Sequence, residues 1–223
     1  MLAIPLAVLR VHAQNLQEAG TEQERRESLA FLIAGVDRTS RLVNQLLTMA
    51  RLEPKPNPPP LQSIDLSETV RNSLVQLTPW LLSKHLELAF EDSAQPFNIM
   101  ASPGTIDIAL NNLITNAANF SPEHGVITVL LSQVEGFYHL SVEDQGPGID
   151  ETDRARLFER FYSRGNAHGA GLGLTIVNTI ATQLGGRITL VNRAEGGLRA
   201  TLSIPDGQPR PASQRSTREP PQS

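Results

Sequence analysis

Asp144, Gly146 and Gly148 stand at alternate positions in "DQGPGID", directly after the strand-like run "LSVE". A carboxylate placed where a strand gives way to a loop without side chains can accept a hydrogen bond from a buried donor such as an exocyclic amine, while the loop backbone approaches closely. The competing reading is an ordinary polar turn of Asp, Gly and Pro. A second cluster, "GAGLGL" from Gly169 to Leu174, leads into the apolar-periodic "LTIVNTIATQLGG". Glycines that open a helix leave backbone N–H groups beside the positive end of its dipole, which suits phosphate oxygens; a helix cap or hinge is the alternative. The spacing is not the dinucleotide fingerprint, because Leu174 stands where the last glycine is needed, and there is no Gly-Lys-Ser/Thr for a P-loop. The third cluster is "LNNLITNAANFSP". Asn112 and Asn116, four apart, share one helix face, and Leu110, Leu113, Ile114 and Ala117 supply the apolar side. Such amides either bond neighbours and solvent or hold a hard cation, as magnesium is held, through their carbonyl oxygens.

Positioning these groups requires a scaffold, and residues 62 to 206 read as α/β. Helical patterns cover about Leu66 to Lys84, Pro103 to Phe120 and Leu172 to Leu184. Strand patterns appear at "LELAF", "FNIM", "VITVLL", "FYHLSVE", "RITLVN" and "LRATLSI", and the last two make a hairpin turning at a Gly pair. The expected result is a mostly antiparallel sheet covered on one face by three helices. Upstream, apolar residues at Leu2, Leu6, Leu9, Ala13 and Leu16 form one helix seam. Leu29, Leu32, Val36, Thr39, Val43, Leu46 and Ala50 form a second, after the connection "EAGTEQERRE". Two helices alone bury too little, so the hairpin either packs on its own following domain or pairs with a second copy as a four-helix bundle, which is the expected homodimer. The prolines of "EPKPNPPPLQS" break both helix and sheet. Residues 1–53 are therefore expected as the hairpin, 54–61 as a semi-rigid linker, 62–206 as the second domain and 207–223 as a disordered tail.

Bulk properties narrow the function classes. A net charge of -4 and scattered Lys and Arg give no footprint for nucleic acid. The absence of cysteine removes disulfides and Cys-based zinc sites. No apolar run approaches the roughly 18 residues of a membrane span, and the start lacks the regions of a signal peptide, so a cytoplasmic location without membrane contact is expected.

The order of an Asn helix, D-x-G-x-G, "RLFERFY" and G-x-G-L-G-L resembles the N, G1, F and G2 boxes of the sensor histidine kinases, in the ATPase superfamily shared with gyrase and Hsp90. The stretch "GVDRTSRLVNQLLTMARLE" is similar to the second helix of that family's dimerisation and phosphoacceptor domain. The resemblance implies an α+β chain: a helical hairpin, dimeric as a four-helix bundle, followed by an α/β sandwich that binds ATP. It implies Mg²⁺ on Asn116, adenine on Asp144, and nucleotide contacts from Asn112, Phe120, Gly146, Gly148 and Ile149. It also implies phosphate contacts from Gly169, Gly171, Leu172, Gly173 and Leu174, with Phe158 and Phe161 anchoring a lid. Arg160 or Arg164 would reach the γ-phosphate or remain a solvated lid charge. Asn119 stands where the family often has a basic residue.

The family's first helix carries His-Glu-x-x-Thr-Pro-Leu or a near relative. Aligning its Pro-Leu on Pro5 and Leu6 places the histidine one residue before the chain starts, and His12, His85, His124, His139 and His168 lack the surrounding motif. No catalytic residue is therefore assigned. The expected function is a histidine kinase catalytic fragment, from a parent expected in the inner membrane, that binds Mg-ATP for phosphoryl transfer to a histidine and onward to a response-regulator aspartate. The alternative is a catalytically silent dimer that regulates a full-length kinase.

Overall fold

The computed structural model describes residues 3–53, 60–93, 97–162 and 171–207. Residues 54–59 of the expected linker, the tail beyond Gly207, and Arg164 and Gly169 of the expected site lie outside the described residues. The chain divides into two compact units, Met1–Pro58 with Asp150–Thr179, and Pro59–Ile149 with Ile180–Ser223.

In the first unit, α1 (Ala3–Glu18) and α2 (Glu22–Leu52) pack as a hairpin. The connection is shorter than the seams suggested, because α2 starts at a reciprocal cap. Thr21 Oγ1 accepts from the Glu24 N–H at 3.2 Å, and Glu24 Oε2 accepts from the Thr21 and Gly20 N–H groups at 3.1 and 2.9 Å. The apolar face of α2 splits into two stripes. Leu32, Gly35, Thr39, Leu42 and Leu46 are buried or half-buried, while Leu29, Ile33, Val36, Val43 and Leu47 stand exposed beside them.

The second unit carries the sheet. Its strands are β2 (Glu87–Asp92), β4 (Val126–Val134), β5 (Phe137–Glu143), β6 (Arg187–Asn192) and β7 (Leu198–Pro205), in the order β2-β4-β5-β7-β6. The β2–β4 pair is parallel and the others antiparallel. The parallel pair follows from a long crossover through α4 (Thr105–Phe120), since parallel neighbours cannot be joined by a tight turn. The expected strand at "FNIM" leaves this sheet: β3 (Asn98–Ala101) pairs with β1 (Gln62–Asp65) in a separate ribbon. The sequence "QSID" of β1 has no apolar alternation, so only its backbone pairing defines it.

Asp65 caps the next helix, α3 (Leu66–Ser83), by accepting from the Ser67 and Glu68 N–H groups. Helix α3 packs on α4 and β2, and α4 packs on β4 and β5. Leu66, Val70, Leu74 and Leu81 of α3 and Ile106, Leu110, Leu113 and Ile114 of α4 are buried, as are Ile127, Val129 and Leu131 of β4, Leu140 of β5 and Leu202 of β7. A face with helical spacing thus meets one with a spacing of two. Helix α5 (Gly173–Gln183), whose residues up to Thr179 belong to the first unit, has Ile176, Val177, Ile180 and Ala181 buried.

Candidate functional site

The apolar stripe of α4 fixes what its polar face presents. With Leu113, Ile114 and Ala117 buried, Asn112 and Asn116 are left half-buried one turn apart. They are not equivalent. Asn112 Nδ2 donates back to the Ile108 carbonyl at 2.8 Å, whereas the Asn116 amide makes no hydrogen bond among the described residues. At the end of α4, Phe120 is 41% exposed, and its carbonyl lies where a Cβ on Gly146 would come within 2.7 Å. Only glycine lets the "DQGPGID" loop approach the helix end this closely. The next residue, Ser121, keeps a buried hydroxyl with no hydrogen-bond partner among the described residues.

Asp144 follows the end of β5 and is 4% exposed. Its Oδ1 accepts from the Gly146 N–H at 2.9 Å and the Leu198 N–H at 3.0 Å. Among the described residues nothing bonds Oδ2, so one lobe of the carboxylate is fixed and the other is available. Burial pushes the carboxyl above the usual carboxylate range, against the opposing pull of the two N–H donors and the Arg193 charge.

The β6–β7 turn holds both ends of this loop, a role the sequence reading missed. At one end the Asp144 N–H donates to the Leu198 carbonyl at 3.0 Å, and Arg193 Nη1 donates to the Asp144 carbonyl at 2.9 Å. Gly197, at φ +94°, lies so close that a Cβ there would sit 1.9 Å from the Asp144 carbonyl oxygen. At the other end the Ile149 N–H donates to Asn192 Oδ1 at 2.8 Å, and Asn192 Nδ2 donates to the Ile149 carbonyl at 2.7 Å. Glu143, buried beside Asp144, pairs through Oε2 with Arg193 Nε at 3.1 Å and through Oε1 with Arg199. The Gly pair in "NRAEGGLR" marked a hairpin turn, but nothing local in it marked a partner about 50 residues away.

In the other unit, a 3-10 turn at Arg156–Phe158 precedes Phe161. Phe161 is 43% exposed with φ +67°, an uncommon backbone for a bulky residue. Its N–H donates to the Gly171 carbonyl at 3.0 Å, and Thr175 Oγ1 donates to the Phe158 carbonyl at 3.1 Å. Leu172 is fully buried, Gly171, Gly173 and Leu174 are half-buried, and Arg160 is exposed. Gly173 is the first residue of α5.

A nucleotide and a metal can be tested against these donors. An open carboxylate oxygen, a loop backbone without side chains and an orphaned buried hydroxyl fit a planar base carrying an amine. For the metal, no group of three or more His, Cys, Asp or Glu that could hold one occurs among the described residues. The unengaged Asn116 carbonyl fits a hard cation whose remaining ligands are phosphate and water, as magnesium prefers.

The fold is that of an ATPase domain: residues 102–208 match the family described as histidine kinase-, DNA gyrase B-, and HSP90-like ATPase. Residues 2–55 match the His Kinase A (phospho-acceptor) domain. With both modules in this order, the chain is homologous to sensor histidine kinases of the QseC type. It is 33% identical to Sensor protein QseC of Salmonella typhimurium over 205 residues, which is 91% of this chain and 45% of that protein. It is 34% identical to Sensor protein CreC of Escherichia coli over 206 residues, 91% of this chain and 43% of that protein. The chain thus spans under half the length of these relatives. Among solved structures, full-length ShkA in complex with AMPPNP superposes with a TM-score of 0.67 at 28% identity, over 91% of this chain and 43% of that one. No helix among the described residues is long and apolar enough to cross a membrane.

Proposed function

We propose that this chain binds Mg-ATP as the catalytic portion of a sensor histidine kinase and that it works as a homodimer in the cytoplasm. The observation that carries the reading is the Asp144 carboxylate, fixed through Oδ1 to two backbone N–H groups with Oδ2 open beside a loop that glycine keeps bare. Oδ2 accepts the adenine amino group, the backbone of Gly146 to Ile149 borders the ring, and Phe120 flanks it. Asn116 holds the magnesium ion, which supplies charge neutralisation at the phosphates. By the family's pattern, the backbone N–H groups of the second glycine run, Gly169, Gly171 and Gly173, would take the phosphate oxygens. Arg160 or Arg164 then meets the γ-phosphate.

The reaction is transfer of the γ-phosphoryl group to an imidazole nitrogen of a hairpin histidine. An N–P bond forms, the bond from phosphorus to ADP breaks, and the imidazole proton passes to a base. A response-regulator aspartate then displaces the histidine. Little covalent chemistry falls to the protein, whose contribution is positioning and charge. The AMPPNP held by ShkA and the exposed stripe on α2, which suits a second hairpin, support this reading. The test is calorimetry with ATP and ADP in magnesium, followed by incubation with labelled ATP and a separate histidine-bearing hairpin. Heat of binding and acid-labile label on the hairpin are expected. Absence of heat would overturn nucleotide binding, and heat without label would overturn the kinase.

A further inference from the structure

We propose that Asn192 and Arg193, at the end of β6, are positioning residues that hold the adenine-reading loop in its binding shape before nucleotide arrives. The inference rests on the nucleotide reading above and adds residues that lie outside its four sequence boxes. Asn192 does for Ile149 what a neighbouring strand would do. It accepts from the backbone N–H and donates to the carbonyl of the same residue, at 2.8 and 2.7 Å, although no strand runs there. Arg193 does the same work at the other end, joining the Asp144 carbonyl, at 2.9 Å, to the buried Glu143 carboxylate, at 3.1 Å. Gly146, Pro147 and Gly148 therefore span two pinned points. A loop with two glycines has much conformational freedom to lose when it closes on a ligand. Pinning both ends removes that freedom in advance, which strengthens binding without any contact to the ligand.

The two side chains also differ in what they do electrically. Asn192 is neutral and sets shape alone. Arg193 brings a positive charge to the Asp144 peptide, where it favours the ionised carboxylate that accepts from an amine. The other charged groups in this network are Glu143, Glu195 and Arg199: Glu143 is paired with both arginines, and Glu195 with Arg193 at 3.7 Å. Removing Arg193 thus disfavours the open acceptor as well as loosening the loop.

The experiment measures ATP and ADP affinity by calorimetry against pH for wild type, Asn192→Ala, Arg193→Gln and Arg193→Lys, together with backbone amide exchange without nucleotide. Asn192→Ala removes two hydrogen bonds to the loop backbone, and Arg193→Gln removes one together with the ion pairs to Glu143 and Glu195, so affinity at neutral pH should fall roughly tenfold in each. In Asn192→Ala, the Ile149 amide should exchange faster while amides in the middle of β5 and β7 keep their protection. In Arg193→Gln, the pH at which affinity is half lost should move upward, and Arg193→Lys should return it towards wild type without restoring full affinity. A merely structural role would lower the melting temperature and leave both the pH midpoint and the affinity of the folded fraction in place. That result, or unchanged exchange at Ile149, would overturn the proposal even with wild type binding normally. A wild type that binds no nucleotide would remove the underlying reading as well.

Discussion

Asp144→Asn separates binding from folding at a single atom. The substitution keeps Oδ1, so the bonds from the Gly146 and Leu198 N–H groups can persist, and it replaces Oδ2 with an amide nitrogen. An acceptor becomes a donor where the proposed ligand presents a donor. The change therefore removes one hydrogen bond to a charged group, about 1.5–3 kcal/mol, which is a loss of roughly 10- to 150-fold in affinity. Stability should move the other way. The carboxyl titrates above its ordinary range in the folded protein, mainly because burial disfavours the charge. The folded chain then holds its proton to higher pH than the unfolded chain. Stability is consequently lost as pH rises from the ordinary carboxylate range through the folded value, and the deficit persists at neutral pH. Asparagine has no such deficit. Calorimetric titration with ADP and thermal melts without nucleotide, both run from acid to neutral pH, measure the two effects. At neutral pH the variant should melt at or above wild type while binding weakly, and its stability advantage should close in acid. ADP affinity within about twofold of wild type would refute the assignment of Oδ2 as the base acceptor. A variant that melts lower in acid and neutral solution alike would refute the account of the burial cost.

Other perturbations test neighbouring parts of the argument. Gly197→Ala puts a Cβ 1.9 Å from the Asp144 carbonyl oxygen at a φ of +94°, and should cost about 3 kcal/mol or more in denaturant unfolding; a near-wild-type midpoint would contradict that contact. Asn116→Ala removes a half-buried amide without a hydrogen bond, so stability should change by less than about 0.5 kcal/mol. Its ATP affinity should fall in magnesium and stay unchanged in chelator, and equal loss in both would exclude a metal role. Val36→Asp with Leu47→Asp places charge on the exposed stripe of α2, and sedimentation should show a wild-type dimer converted to monomer. A wild type that sediments as a monomer would leave that stripe without its proposed partner.

What the sequence made legible depended on how far each signal reached along the chain. Helices α3, α4 and α5 and six of the seven strands announced themselves through periodicity, because burial on one face writes a local pattern. Asp144, Asn116 and the paired glycines stand out as candidates for a different reason: their residue types are chemically unusual where they stand, a carboxylate at a strand end and amides on a helix face. The start of α2 was also written locally, as Thr21 followed three residues later by Glu24, although the apolar seam drew the boundary later. Asn192 and Arg193 had no such mark. A polar pair at a strand end before a Gly turn is ordinary, and its meaning comes only when β7 pairs with β5 and brings the β6–β7 turn against the Asp144 loop. The same logic explains why the loop itself can be so bare. Two glycines at 146 and 148 would leave it floppy if rigidity had to come from its own residues, so the stiffness is placed on the adjacent hairpin. The candidate acceptor was therefore readable from the loop, while the restraint proposed for it resides in side chains that bond only to its backbone.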